Sequence, residues 1–159
     1  MTAIANPLIN ISLQGRNDTY PKRRGMTRVK EMVATGIPVA LGHDCVMDPW
    51  YGLGSHDMLE VAHMAAHVGH MTGVEEMRAL FAGVTTTAAA ALHLDGYGLE
   101  PGCHADLVVL QARDPVEAIR LRAARRHVLR AGREIASSPS RTACLSLDGR
   151  PETVSFRRS

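Results

Sequence analysis

Aromatic residues are scarce in this chain, at 4% with a single tryptophan, Trp50. Large aromatic clusters therefore cannot organise its core. Cysteine is scarce too. The three present, Cys45, Cys103 and Cys144, are odd in number and share no Cys-x-x-Cys spacing, which argues against a disulfide framework and a cysteine-built zinc site and points to a reducing cytoplasm. No apolar run reaches the roughly 18 residues of a membrane span, and the N-terminus lacks the pattern of a secretory signal. Charge of one sign is also missing. The formal net charge is +2, so bulk electrostatics suggests neither a nucleic-acid nor an anionic-membrane partner. Lys22-Arg23-Arg24, Arg120 to Arg126 and Arg157-Arg158 read as solvated surface or tail.

What the chain does have is an apolar fraction of 45% in 159 residues, enough for a real core. Its organising stretch runs from Ile37 to Trp50. A turn at Gly36 leads into Val39 to Leu41, which breaks into His43 and Asp44 and a loop closed by Asp48-Pro49. Buried parallel strands are apolar on both faces, and in α/β barrels reactive groups sit at their C-terminal ends. Alternation would put Ala40, Gly42 and Asp44 on one face and Val39, Leu41 and His43 on the other.

Upstream, the β-branched run Asn6 to Leu13 predicts a second strand. A polar loop from Gln14 to Gly25 follows, then a helix capped by Thr27 and ended by Gly36. The result is a βαβ unit with parallel strands. Downstream, a helix is expected from Ser55 to about Gly69, with Met58, Leu59, Ala62, Ala65 and Ala66 as its apolar stripe. Two further helices are expected near Val74 to Phe81 and Thr85 to Leu94. Beyond Gly96 the pattern turns β-rich: a strand ending at Leu110, a short helix opened by Asp114-Pro115, a hairpin around Ala131-Gly132-Arg133, and a strand within Thr142 to Leu147. Residues from Pro151 onward read as a frayed tail.

Asp44 has two readings on local pattern, an active-site carboxylate or a cap for the following loop. Eight histidines raise metal chemistry. His56, His63, His67 and His70 fall on one predicted helix, and Glu60, His63 and His67 have helical spacing for a chelate, although no His-Glu-x-x-His sequence is present; a solvated helix face or the edge of the core is the alternative. Cys45 has no context for a nucleophile and reads as a pocket wall or a packed residue.

Asn6-Pro-Leu-Ile-Asn10, Gln14-Gly-Arg16, Asp18-Thr-Tyr-Pro-Lys-Arg-Arg-Gly25, Arg28-Val-Lys-Glu-Met32, Gly42-His-Asp44 and Asp48-Pro-Trp-Tyr51 together resemble bacterial cytosine deaminases of the amidohydrolase superfamily. The Pro-Gly-x-x-Ala-Asp-Leu-Val-Val core between Gly98 and Leu110 resembles the sheet that follows the barrel in that superfamily. The resemblance implies an α/β fold: residues 1–95 as the C-terminal part of a metal-dependent (β/α)8 barrel, 96–150 as part of a small β-sandwich subdomain, and 151–159 as a tail.

It also implies that Asp44 ends the eighth strand, binds the catalytic divalent ion (iron or zinc) and moves a proton during hydrolysis. Trp50 would wall a pyrimidine pocket, with Cys45 beside it where the family usually has a second aspartate. That change opens the substrate to other aminopyrimidines or aminotriazines. The family's His-x-His pair and catalytic glutamate have no counterpart here. A complete barrel takes about 250 residues, so the expectation is an inactive portion of a cytoplasmic, homo-oligomeric deaminase whose remaining metal ligands lie outside this chain. A non-catalytic remnant or accessory subunit that binds a partner is the competing reading.

Overall fold

The computed structural model describes residues 1–150 and 152–156. The chain opens on a three-residue strand, β1 (Ala3–Ala5), and a helix, α1 (Pro7–Leu13). The strand expected over Asn6 to Leu13 is therefore a helix. Pro7 decides this: a helix's first turn leaves its N–H groups unpaired, so a proline costs nothing there, whereas in a strand it removes a ladder bond. Pro7, Leu8 and Ile9 are buried, so the apolar run marks burial against the helical layer.

After the polar loop comes α2 (Val29–Ala34). Thr27 does not cap it. Arg28 holds the N-cap position, and the Thr27 hydroxyl donates to Asn10 Oδ1 at 3.4 Å, tying loop to α1. The expected stop at Gly36 is present, at φ 79. Gly36 N–H donates to Val33 O at 3.0 Å and Ile37 N–H to Met32 O at 2.9 Å, the paired bonds of a glycine-ended helix.

Strand β2 (Val39–Leu41) is wholly buried. It pairs in parallel with β1, Ala3 against Val39 and Ala5 against Leu41. Three helices follow with short connections, α3 (Met58–Val68), α4 (Val74–Gly83) and α5 (Thr86–Ala91). The first begins later than expected. Asp57 is its N-cap, accepting from Leu59 N–H at 2.8 Å, and a side-chain acceptor there satisfies a donor that Ser55 is too early to reach.

The β-rich part holds β3 (Leu107–Leu110), α6 (Pro115–Leu121), β4 (Arg125–Arg130) and β5 (Arg133–Ser137), the strands forming an antiparallel sheet in that order. Strands β6 (Ala143–Cys144) and β7 (Thr153–Val154) pair with each other. The expected tail thus contains a strand; Pro151 and residues 157–159, with the Arg157-Arg158 pair, lie outside the described residues. Ala118 and Ile119 of α6 belong to the same apolar cluster as Val39, Leu41, Val61 and Leu80. One core therefore crosses the boundary expected at residue 95.

Candidate active site

The ladder ends at Leu41, and the chain leaves the sheet through Gly42, His43 and Asp44. Alternation stops with it, because Asp44 adopts φ 68. Cys45 N–H donates back to His43 O at 3.0 Å. An i→i+2 bond around a residue of positive φ is the rare, strained form of three-residue turn, and such strain costs about 1–3 kcal/mol. Asp44 sits at its apex, exposed, and its carboxylate joins no hydrogen bond or ion pair among the described residues. A loop cap would show such a bond, and this one has none.

Asp48 organises the loop instead. Its Oδ1 accepts from Trp50 N–H and Tyr51 N–H, both at 2.9 Å. Its carboxylate also takes a hydrogen bond from the Cys45 thiol, which holds Asp48 below the usual carboxylate range against the opposing effect of partial desolvation. The same bond, helped by desolvation and by the nearby charge of Asp44, pushes the Cys45 thiol up to about 11. Cys45 is thus a neutral thiol at physiological pH, which suits a pocket wall and not a nucleophile. Trp50 is 67% exposed. The loop brings Cys45 and Trp50 together on one carboxylate, but the indole is open to solvent and encloses nothing.

His43 is buried, at 7% exposure. Its Nδ1 lies 2.8 Å from Cys45 O, and its ring meets Tyr51 edge-on at a centroid distance of 6.1 Å. Nε2 is buried without a hydrogen-bond partner among the described residues. Gly54, at φ 92, closes over the ring: an ideal Cβ there would lie 2.5 Å from Cε1 and 2.7 Å from Nε2. Sequence reasoning gave His43 a face and no role, and took Asp48 only as the end of the loop. An Asp-Pro-x-Tyr sequence after a strand is the signal for the second, since aspartate accepts from N–H groups two or three residues on.

The helical histidines do other work. His63 Nδ1 lies 3.0 Å from Ile119 O and His67 Nδ1 2.8 Å from His63 O. Burial lowers the His63 pKa, the bond to Ile119 opposing it. His56 precedes α3 and His70 follows it, both at positive φ. No group of three His, Cys, Asp or Glu side chains among the described residues could hold a metal, so Glu60, His63 and His67 do not form the chelate that their spacing allows. Asp44, exposed and unpartnered, fits a single metal ligand; a complete coordination sphere needs donors from elsewhere.

A large cavity of about 680 Å³ lies away from this rim, lined by Phe81, Tyr97, Glu100 and Arg125 among others. Asp44, Cys45 and Trp50 do not line it.

A family model described as the amidohydrolase family matches residues 1–136. A pterin deaminase of Rhizobium rhizogenes is 34% identical over 137 residues, covering 85% of this chain and 31% of the relative. The 5-methylcytosine deaminase of Klebsiella pneumoniae, liganded with 5-fluorocytosine, superposes with a TM-score of 0.83 at 38% identity, covering 89% of this chain and 34% of that one. N-isopropylammelide isopropylaminohydrolase of Burkholderia multivorans superposes with a TM-score of 0.68 at 34% identity, covering 74% and 30%. The chain spans about a third of the length of each.

Proposed function

Because the chain belongs to the amidohydrolase family, we propose that it supplies the end of a metal-dependent barrel and the adjoining small sheet of a hydrolase that deaminates a cytosine-like aminopyrimidine. The observation that carries this reading is Asp44: an unpartnered, exposed carboxylate held at the C-terminal end of a buried parallel strand. The likeness to a 5-methylcytosine deaminase supports the substrate class.

In this reading Asp44 would help hold a divalent ion, iron or zinc, together with ligands from outside this chain. Such an ion supplies Lewis-acid chemistry that lowers the pKa of water from about 16 towards 7. Asp44 accepts the proton of the attacking water and returns it to the exocyclic nitrogen. The ring carbon gains an oxygen, the C–N bond breaks and ammonia leaves. Trp50 offers an indole face to the flat ring. Cys45 presents a neutral, polarisable thiol where a carboxylate would demand a ring N–H, so it tolerates a carbon substituent such as a methyl group and penalises a substrate that needs an acceptor there.

The test is a chimaera in which residues 1–136 replace the matching third of the Klebsiella enzyme, assayed for ammonia from 5-methylcytosine, cytosine, a pterin and an aminotriazine. We expect turnover with 5-methylcytosine preferred, a loss of at least about 1,000-fold in kcat for Asp44→Asn, and a shift towards cytosine for Cys45→Asp. Near-parental kcat in Asp44→Asn removes Asp44 from the chemistry; a pterin preferred over both pyrimidines replaces the substrate class. The 159-residue chain alone should release no ammonia, and release with stoichiometric metal would sink the reading of the chain as a portion of the enzyme.

A further inference from the structure

We infer that His43 is a positioning residue, whose imidazole clamps the strained turn that presents Asp44. The inference rests on the proposed role of Asp44, and its geometry stands apart from that role. Residues 43 and 45 are joined twice around Asp44, by the backbone bond from Cys45 N–H to His43 O at 3.0 Å and by the contact of His43 Nδ1 with Cys45 O at 2.8 Å. A carbonyl only accepts, so Nδ1 carries a proton and donates it to Cys45 O. Nε2 is buried without a hydrogen-bond partner among the described residues, and the ring of His56 stands at a centroid distance of 6.3 Å.

The rest of the loop wraps the same ring. Tyr51 packs edge-on against it, and Gly54 presses on the Cε1–Nε2 edge so closely that no Cβ fits. The imidazole is therefore held at three points: by the carbonyl at the loop's start, by an aromatic edge in its middle and by a bare backbone at its end. Asp44 is the apex of the turn that this contact closes, and the direction of its carboxylate follows from that turn. The histidine acts through Asp44 and touches no substrate.

Two experiments test the clamp. In the 159-residue chain, long-range 1H–15N correlation spectra of the imidazoles should show His43 protonated at Nδ1, and scalar couplings should place Asp44 at positive φ. His43→Leu fills the space without a donor and should release that φ. His43→Asn carries an amide N–H where Nδ1 stood and should retain it. In the chimaera, we expect His43→Leu to lower kcat about 100-fold, the scale of a small misplacement of a catalytic group, with KM changed less than about twofold, and His43→Asn to recover at least about tenfold of that loss.

An Nδ1 without a proton in the unsubstituted chain overturns the clamp even if the leucine variant does not fold. So does unchanged kcat in His43→Leu while Asp44→Asn abolishes turnover. If Asp44→Asn is itself active, the proposed function falls, and the spectra of the chain still decide the clamp.

Discussion

Cys45 and Asp48 face each other at the start and middle of the loop, and each changes what the other can do. The Asp48 carboxylate accepts the thiol's hydrogen bond and, with desolvation and the charge of Asp44, raises the Cys45 pKa to about 11. Asp48→Asn keeps an oxygen for the Trp50 and Tyr51 N–H groups but removes the charge, so the thiol should fall back towards its ordinary value near 9. Thiolate is the reactive form. Alkylation of Cys45 by iodoacetamide at mildly alkaline pH, followed by peptide mass spectrometry to separate it from Cys103 and Cys144, should therefore accelerate at least about tenfold in the variant. An unchanged rate would show that Asp48 does not hold the thiol. Asp44 was legible in the sequence as the polar end of an apolar run. The turn around it was not, because a positive φ at an aspartate leaves no periodic trace and the bonds that stabilise it come from a histidine that reads equally well as core.

At the scale of elements, Asp57 ties the helical layer to the terminal sheet beside the apolar core they share. It caps α3 through Leu59 N–H and meets Arg125 of β4 at 2.6 Å. Burial raises its pKa, but the Arg125 hydrogen bond and charge, with the backbone N–H bonds, outweigh burial and leave it below the ordinary value of 3.8. A carboxylate depressed in the folded state contributes stability above its unfolded pKa and loses it as pH falls through the folded value. Asp57→Asn, which can still cap, should cost about 1 kcal/mol at about pH 7, and the difference from the unsubstituted chain should be smaller at about pH 3. Asp57→Ala should cost about 1 kcal/mol more at both, because the cap is lost as well. Urea unfolding at the two pH values checks both, and a deficit for Asp57→Asn that persists undiminished in acid would assign Asp57 a purely steric role. Most elements were readable from caps and periodicity: Val39 to Leu41, the Gly36 stop, the Asp114-Pro115 helix start and the Ala131-Gly132 hairpin. The run Asn6 to Leu13 misled because Leu8, Ile9 and Ile11 satisfy strand composition as well as a buried helix face, and Pro7 was the deciding residue. Asp57 and Arg125 lie 68 positions apart, a pairing that no local pattern announces.

For the molecule as a whole, the unpaired surfaces make a prediction of their own. The sheet that carries Asp44 has two strands of three residues, so each strand has an outer edge with no partner in that sheet. A parallel pair of that size is marginal alone, and open edges recruit further strands. Apolar side chains are exposed in two regions, Ile4, Met47, Trp50 and Leu53 near the rim and Val108, Val109 and Ile135 on the terminal sheet. A net charge of +2 opposes association only weakly. Solved structures about three times as long superpose on this chain over about a third of their length, which supports the proposal that these surfaces are covered in a longer protein. The isolated 159-residue chain should therefore self-associate in sedimentation velocity as its concentration rises towards about 100 μM and should bind a hydrophobic dye, as exposed apolar patches and edges do. The chimaera, in which the same surfaces meet the remainder of the Klebsiella enzyme, should show neither the dye binding nor the concentration dependence beyond that of the parent enzyme. An isolated chain that sediments as a compact monomer across that range and leaves the dye unbound would mean that the edges are satisfied within the chain, and the accessory-protein reading would then displace the view of it as part of a larger catalytic fold.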